Sequence, residues 1–291
     1  MILLTGGSGQ VGWELRRSLA PLGRVVAPTR AELDLTEPGR IVEAFRDVAP
    51  AAVVNCAAYT DVEGAERDPA AAHRLNAEVP AALAAAAASS GALMVHLSTD
   101  YVFDGSKKMP YAESDPGSPL SEYGRSKLEG ERAVAAAGGP HVVVRTSWVY
   151  GLRGRNFLRT ILGLAAEREE LRVVDDQVGA PTWSRMLAEG LAGMLATLVR
   201  DGGFADPGAR RGVYHLAAAG ETSWHGFAQA ILEAGAGAGG RIPRLVPVST
   251  AEYGSGVRRP AYSVLECGRA LKEFGVRLPG WREQLGLAME R

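Results

Sequence analysis

Met1-Ile2-Leu3-Leu4-Thr5-Gly6-Gly7-Ser8-Gly9-Gln10-Val11-Gly12 opens the chain, and no other stretch says as much about its architecture. Ile2 to Leu4 is an apolar run of buried-strand length, and the residues from Gln10 to about Leu19 carry a helical pattern. The glycines between them form a turn that lets backbone N–H groups approach an anion on the positive end of the following helix. The spacing satisfies both Gly7-x-Gly9-x-x-Gly12 and Gly6-x-x-Gly9-x-x-Gly12. A glycine pattern alone is a weak signal in a chain with 36 glycines, but its place between a strand and a helix points to a dinucleotide pyrophosphate.

The pattern after this turn repeats. Val25-Ala27, Val53-Cys56, Leu93-Ser98 and His141-Arg145 read as buried strands, separated by helical stretches that include the alanine run Ala81–Ala88 and the segment Tyr123–Ala136. Strand–helix units of about 25 to 35 residues predict an α/β fold, a Rossmann-type doubly wound parallel sheet. Beyond Trp148 the rhythm loosens. A helix is expected at Phe157–Glu167, a strand at Leu171–Val174, a helix at Arg185–Leu198, a loop at 201–211, a strand at Val213–Leu216 and a surface loop at Gly235–Gly240. Residues 1–150 are therefore expected to form the dinucleotide-binding domain. Residues 151–291 are expected to form mainly a smaller C-terminal substrate-binding domain, with some segments returning to the first.

Composition narrows the function classes. The chain has 291 residues, 46% hydrophobic and 22% charged, with Lys+Arg 32 against Asp+Glu 33 and a net charge of -1. Disorder is excluded, and nothing suggests a nucleic-acid partner. Cys56 and Cys267 are too few for a disulfide framework. The opening apolar run lacks a basic n-region, and the alanine run is too short to span a bilayer, so no membrane partner and a cytoplasmic location are expected.

The strand ending Leu97-Ser98-Thr99-Asp100 delivers hydroxyls to the carboxyl edge of the sheet, where ligands bind in such folds. Tyr123-Gly124-Arg125-Ser126-Lys127 follows, with Tyr123 and Lys127 on one helical face. An ammonium beside the phenol would lower its pKa and make Tyr123 a proton donor and acceptor, while Thr99 holds a substrate oxygen beside it. The chain has only four lysines against 28 arginines, so a lysine at 127 stands out. After the second strand comes Pro28-Thr29-Arg30 rather than an acidic residue. Arg30 could therefore pair with a 2′-phosphate, favouring NADPH with NADH as second choice, or be a solvated surface arginine. Asp34-Leu35 would lie near the adenine, or Asp34 would cap a helix at Glu37–Val48.

Taken together, these motifs resemble the extended short-chain dehydrogenase/reductase superfamily, and within it the family of dTDP-4-dehydrorhamnose reductases. The likeness runs through Gly6–Gly12, Val54–Thr60, Ser98–Phe103, Tyr123–Lys127, Arg145–Tyr150, Asp176–Thr182 and Arg258–Pro260, the last three belonging to this branch. The resemblance implies NADPH-dependent reduction of a 4-keto-deoxyhexose on a dTDP carrier. It implies Thr99, Tyr123 and Lys127 as catalytic residues, with Lys127 also holding the nicotinamide ribose. It implies cofactor contacts at Gly6, Gly9, Gln10, Val11, Gly12, Ala57, Ala58 and Tyr59, and substrate contacts at Thr60, Val62, Tyr101 and Trp148.

Other readings are weighed on residues. Dehydratases of the superfamily place an Asp-Glu pair after the threonine, whereas here Thr99-Asp100 is followed by Tyr101; epimerases retaining NAD⁺ are disfavoured by Arg30. A regulatory module that only binds the dinucleotide would be free to lose Tyr123 or Lys127, and both are present. Arg258 and Arg259 could meet a diphosphate or simply be solvated. Glu14 and Glu189 could join a Mg²⁺ site at a homodimer interface, as in some relatives, although no metal motif supports it. His73, His96, His141, His215 and His225 show no ligand spacing and read as structural.

Overall fold

The computed structural model describes residues 1–201, 203–235 and 242–290, so most of the predicted glycine-rich loop at 235–240 lies outside the described residues. Eight strands carry the architecture: β1 (Ile2–Thr5), β2 (Val25–Val26), β3 (Ala52–Asn55), β4 (Leu93–Thr99), β5 (His141–Thr146), β6 (Glu170–Val174), β7 (Gly212–His215) and β8 (Arg244–Val248). Ten helices pack on them: α1 (Gln10–Ser18), α2 (Arg40–Val48), α3 (Val62–Arg67), α4 (Val79–Ser90), α5 (Glu122–Ala136), α6 (Phe157–Glu167), α7 (Ser184–Ala196), α8 (Trp224–Gly235), α9 (Gly268–Phe274) and α10 (Trp281–Met289).

Six strands form one parallel sheet in the order β7-β5-β4-β3-β1-β2. The chain steps outward from β1 to β2, then crosses back to lay β3 on the other side of β1. This reversal opens a crevice at the carboxyl ends of β1 and β3, the place where a doubly wound sheet takes its ligand.

The continuous apolar runs follow from burial on both faces. Ile2, Leu4, Val54, Val95 and Val144 point into one core, with Leu15 of α1 and Leu187, Leu191 and Leu195 of α7. Leu3, Val53, Met94 and Val143 point to the other, against Ile41 and Phe45 of α2, Leu83 of α4 and Val134 of α5. Three elements from beyond residue 150 thus belong to the large sheet: α7 and α9 pack on one face and β7 extends the edge beyond β5. A further core joins α6, α8 and α10 around Phe227, Ile231, Trp281 and Leu285, beside the parallel pair β6–β8. β8 was not expected from the sequence, because Pro247 interrupts its apolar pattern. Among the described residues no helix is long and apolar enough to cross a membrane.

One buried polar chain ties the sheet to α5. Glu131 accepts from Ser98 Oγ at 2.5 Å and from Arg145 Nε and Nη2 at 2.9 and 2.6 Å, and Arg145 Nη1 lies 3.4 Å from His215 Nε2. Both members of the ion pair are sealed from solvent. Removing one partner strands the other charge in the interior. Arg145→Ala is therefore expected to cost about 3–5 kcal/mol, seen as a lowered urea midpoint; an unchanged midpoint would show that water reaches Glu131.

Candidate active site

The phosphate turn is built by close packing. A Cβ on Gly12 would lie 2.2 Å from the Gly6 carbonyl oxygen, so only glycine lets the first turn of α1 sit on the loop that precedes it. Gly9 stands at the N-cap in an extended conformation. It makes no side-chain cap, and the first turn carries no acidic residue. The N–H groups at Gln10, Val11 and Gly12 therefore face the crevice without a side-chain oxygen to satisfy them, a polarity suited to an anion. Gln10 is held from the far side, since Asn156, the N-cap of α6, donates Nδ2 to its Oε1 at 2.9 Å.

Ala57, Ala58 and Tyr59 leave the end of β3 next to this turn. Ala57 N donates to Asn55 Oδ1 (3.1 Å), and Tyr59 N donates to Asn76 Oδ1 (2.8 Å). Asn76, buried in the irregular turn before α4, also donates to Tyr59 O and Ser126 Oγ, clamping the loop to α5. Thr60 is exposed, and Val62 begins α3 half-buried. Asp61, next to Thr60, has a local purpose: it caps α3 by accepting from Gly64 N at 3.0 Å.

Thr99 ends β4, and Tyr123 and Lys127 lie on α5. The helix comes close because residue 124 is glycine; a Cβ there would be 2.2 Å from the Tyr101 carbonyl oxygen. Tyr123 thereby lies beside Thr99 and packs edge-on against Tyr101 with ring centres 5.8 Å apart. Burial pushes the Tyr123 phenol up to about 12, with the neighbouring Thr99 hydroxyl acting in the opposite direction. The expectation that Lys127 depresses it is thus overturned. The shared helical face was right, but Nζ turns to the Leu97 carbonyl at 2.6 Å, and desolvation of the phenol dominates.

Asp100 is a site residue that sequence reasoning missed. It is buried and accepts from Thr99 Oγ1 (3.1 Å), Ser147 Oγ (3.0 Å) and Ser263 Oγ (2.5 Å). Burial raises its carboxyl to about 6 despite those three donors. Ser263 comes from the segment zipped to Val178 by Ser263 N–H to Val178 O and Val178 N–H to Ala261 O. Ser147, from the Arg145–Tyr150 motif, and a segment held by the Asp176–Thr182 motif therefore meet at the end of β4.

Trp148 adopts a positive φ of 45° and stacks face to face on Trp224, with ring centres 3.5 Å apart. Its other side lies against Gly179, where a Cβ would fall 2.4 Å from the indole. Gln177 accepts from Trp224 Nε1 (3.2 Å) and donates to Thr250 Oγ1 (3.0 Å), so the Asp176–Thr182 motif forms the seat of this pair. Trp224 was not singled out in the sequence, and Gln177 entered only as part of a motif, since their partners lie tens of residues away.

The remaining expected residues fall less centrally. Arg30 is exposed and lies 3.5 Å from Asp34 Oδ2. Asp34 Oδ1 accepts from Thr36 N and Oγ1, and the N-cap of α2 is Gly39, so Asp34 caps no helix there. Leu35 packs on the core beneath. Arg258 is exposed, whereas Arg259 is mostly covered, pairs with Glu63, donates to Ser255 Oγ at 2.6 Å and lies near Tyr101. Glu14 and Glu189 pair with Arg17 and Arg185, and among the described residues no cluster of three ligand side chains could hold a metal.

A parallel sheet with a ligand crevice at its reversal, an uncapped glycine turn below and a Thr–Tyr–Lys group beside it defines the class of dinucleotide-dependent reductases with a short-chain architecture. The chain belongs to the RmlD substrate binding domain family, which matches residues 1–291. It is 52% identical to the dTDP-4-dehydrorhamnose reductase of Burkholderia thailandensis, over 99% of this chain and 97% of that one. Two solved dTDP-4-dehydrorhamnose reductases share its fold. The Clostridium acetobutylicum enzyme has a TM-score of 0.90 at 36% identity, covering 99% of this chain and 98% of that one. The Bacillus anthracis enzyme, in complex with NADP, has a TM-score of 0.88 at 33% identity, covering 99% and 97%.

Asp100 yields a pH prediction. A carboxyl raised to about 6 in the fold stabilises it fully at pH values below the unfolded value near 3.9, and that contribution disappears as pH rises through 6. Between pH 4 and 7 the protein is expected to lose about 2 kcal/mol relative to Asp100→Asn. Urea unfolding of both proteins across that range checks this; parallel profiles would mean that Asp100 ionises as it does in the unfolded chain.

Proposed function

We propose that this chain catalyses NADPH-dependent reduction of the 4-keto group of dTDP-4-dehydro-L-rhamnose to dTDP-L-rhamnose. The family carries the reaction class, and one observation carries its placement: Thr99 and Tyr123 lie side by side at the same sheet edge as the uncapped start of α1.

The residues present fit the dinucleotide. Gly6, Gly9, Gln10, Val11 and Gly12 would hold its diphosphate, Ala57, Ala58 and Tyr59 would line its path, and Lys127 would hold the nicotinamide ribose. When bound, NADPH supplies the hydride for C4. Thr99 orients the keto oxygen, and Tyr123 gives it a proton, so the carbonyl becomes a hydroxyl and the phenol a phenolate. A buried phenol with a raised pKa is in the protonated form before each turnover, which is the form a reduction requires. Arg30 would meet the 2′-phosphate, with Asp34 and Leu35 flanking the adenine.

Substrate contacts are proposed at Thr60, Val62, Tyr101 and Trp148. Both faces of the Trp148 indole are covered, so it would offer the sugar an edge. Residues 151–291 mainly shape this half of the site, while β7 and α7 complete the dinucleotide half. A cytoplasmic setting suits the unpaired thiols of Cys56 and Cys267.

The test is substrate-dependent NADPH oxidation with dTDP-4-dehydro-L-rhamnose; its absence would leave only a binding module. Tyr123→Phe is expected to lower kcat by at least ~10²-fold with NADPH affinity intact, and unchanged turnover would sink the role given to Tyr123. With NADPH and NADH run side by side, Arg30→Ala should raise KM for NADPH about tenfold and leave that for NADH unmoved. Equal effects on both cofactors would remove Arg30 from the 2′-phosphate.

A further inference from the structure

Thr99 has one hydroxyl hydrogen, and the fold gives it to a neighbour. Its Oγ1 donates to Asp100 Oδ1 at 3.1 Å and accepts from the Tyr101 N–H at 3.2 Å. A keto oxygen can only accept, so a Thr99 whose hydrogen is spent on Asp100 has none left for the substrate. Holding the keto oxygen at C4 therefore requires that this bond be released.

The donors around Asp100 provide the release. Ser147 and Ser263 both donate to Oδ2, at 3.0 and 2.5 Å, whereas Thr99 donates to Oδ1. A proton taken up by the carboxyl goes to the less engaged oxygen, Oδ1, where it faces Thr99 Oγ1. The bond then reverses. The two lone pairs of the Thr99 oxygen take the Tyr101 N–H and the Asp100 O–H, and its own hydrogen is free to turn to the crevice. We propose that Asp100 is a positioning residue whose proton decides whether Thr99 can give its hydrogen to the keto oxygen: the carboxylate withholds that hydrogen, and the carboxylic acid releases it. The proposal deepens the reading of Thr99 as the residue that orients this oxygen and rests on it.

The surroundings keep the acid form within reach. Asp100 is sealed from solvent, and burial lifts its carboxyl to about 6 against the three hydroxyl donors. Tyr101, the next residue, and Tyr123 of α5 are phenols held above their ordinary value, in part by the charge of Asp100 itself. On α5, Lys127 Nζ is turned to the Leu97 carbonyl. From β5 and the turn after it come Ser147, which bonds the carboxyl, and Arg145, which is turned to Glu131. On the C-terminal segment Arg259 is paired with Glu63, and Tyr262 donates to Glu221. The phenols and the guanidinium groups keep their charge state between pH 5 and 7.

The test is kcat/KM for dTDP-4-dehydro-L-rhamnose at saturating NADPH, measured from pH 5 to 7.5. The parent protein is expected to lose about tenfold between pH 5 and 7, with the break near 6. Asp100→Asn has no such proton to lose, so its profile should be flat in this window. Ser263→Ala removes a donor to the carboxylate and should move the break up by about one pH unit. Thr99→Ala should turn over slowly and without the break, whereas Thr99→Ser should retain it. A flat parent profile overturns the proposal, as does a break that survives in Asp100→Asn or Thr99→Ala, or one that stays in place in Ser263→Ala. Failure of the site reading shows itself separately, as no substrate-dependent NADPH oxidation at any pH.

Discussion

A single carboxylate holds the reactive end of this molecule together. Asp100 lies where β4 runs out, and it gathers hydroxyls from Thr99, from Ser147 after β5 and from Ser263 in the C-terminal part of the chain. Taking an acid out of water is costly, and three hydrogen bonds offset only part of that cost, as its raised pKa records. The Thr99 hydroxyl therefore has a set direction before any ligand arrives, and the C-terminal segment is registered against the sheet by the same atoms.

The architecture was readable where it is local. The glycine turn, the strand–helix rhythm and the Tyr123–Lys127 spacing each depend on neighbours within one or two turns of chain, and the fold realises all three. What was not readable depends on distance along the chain. Asp100 meets Ser263, Glu131 meets Arg145 and Ser98, and Trp224 meets Trp148, pairs separated by up to 163 residues with no periodic trace. β8 was hidden by Pro247, which an edge position tolerates because it needs no ladder donor there. The lysine's effect on Tyr123 went wrong for a related reason. Spacing shows that two side chains share a face, but it does not show which carbonyl one of them has turned to.

The charge balance also gains meaning from the structure. With a net charge of -1 no long-range field draws in an anionic ligand. In the proposed site that task falls to local groups, the bare start of α1 and a few arginines, of which Arg259 is already paired with Glu63.

The late arrival of β7 has a consequence for synthesis. Five strands of the large sheet are complete by Thr146, yet the strand that closes the β5 edge is residues 212–215. At ribosomal rates of about 5–20 residues per second, that edge stays open for roughly 3–14 s. Its apolar Val142-Val143-Val144 presents an unpaired ladder, the kind of template on which nascent chains mispair. The protein's window of greatest risk thus falls during translation, when the dinucleotide half is nearly formed and waits for one four-residue strand.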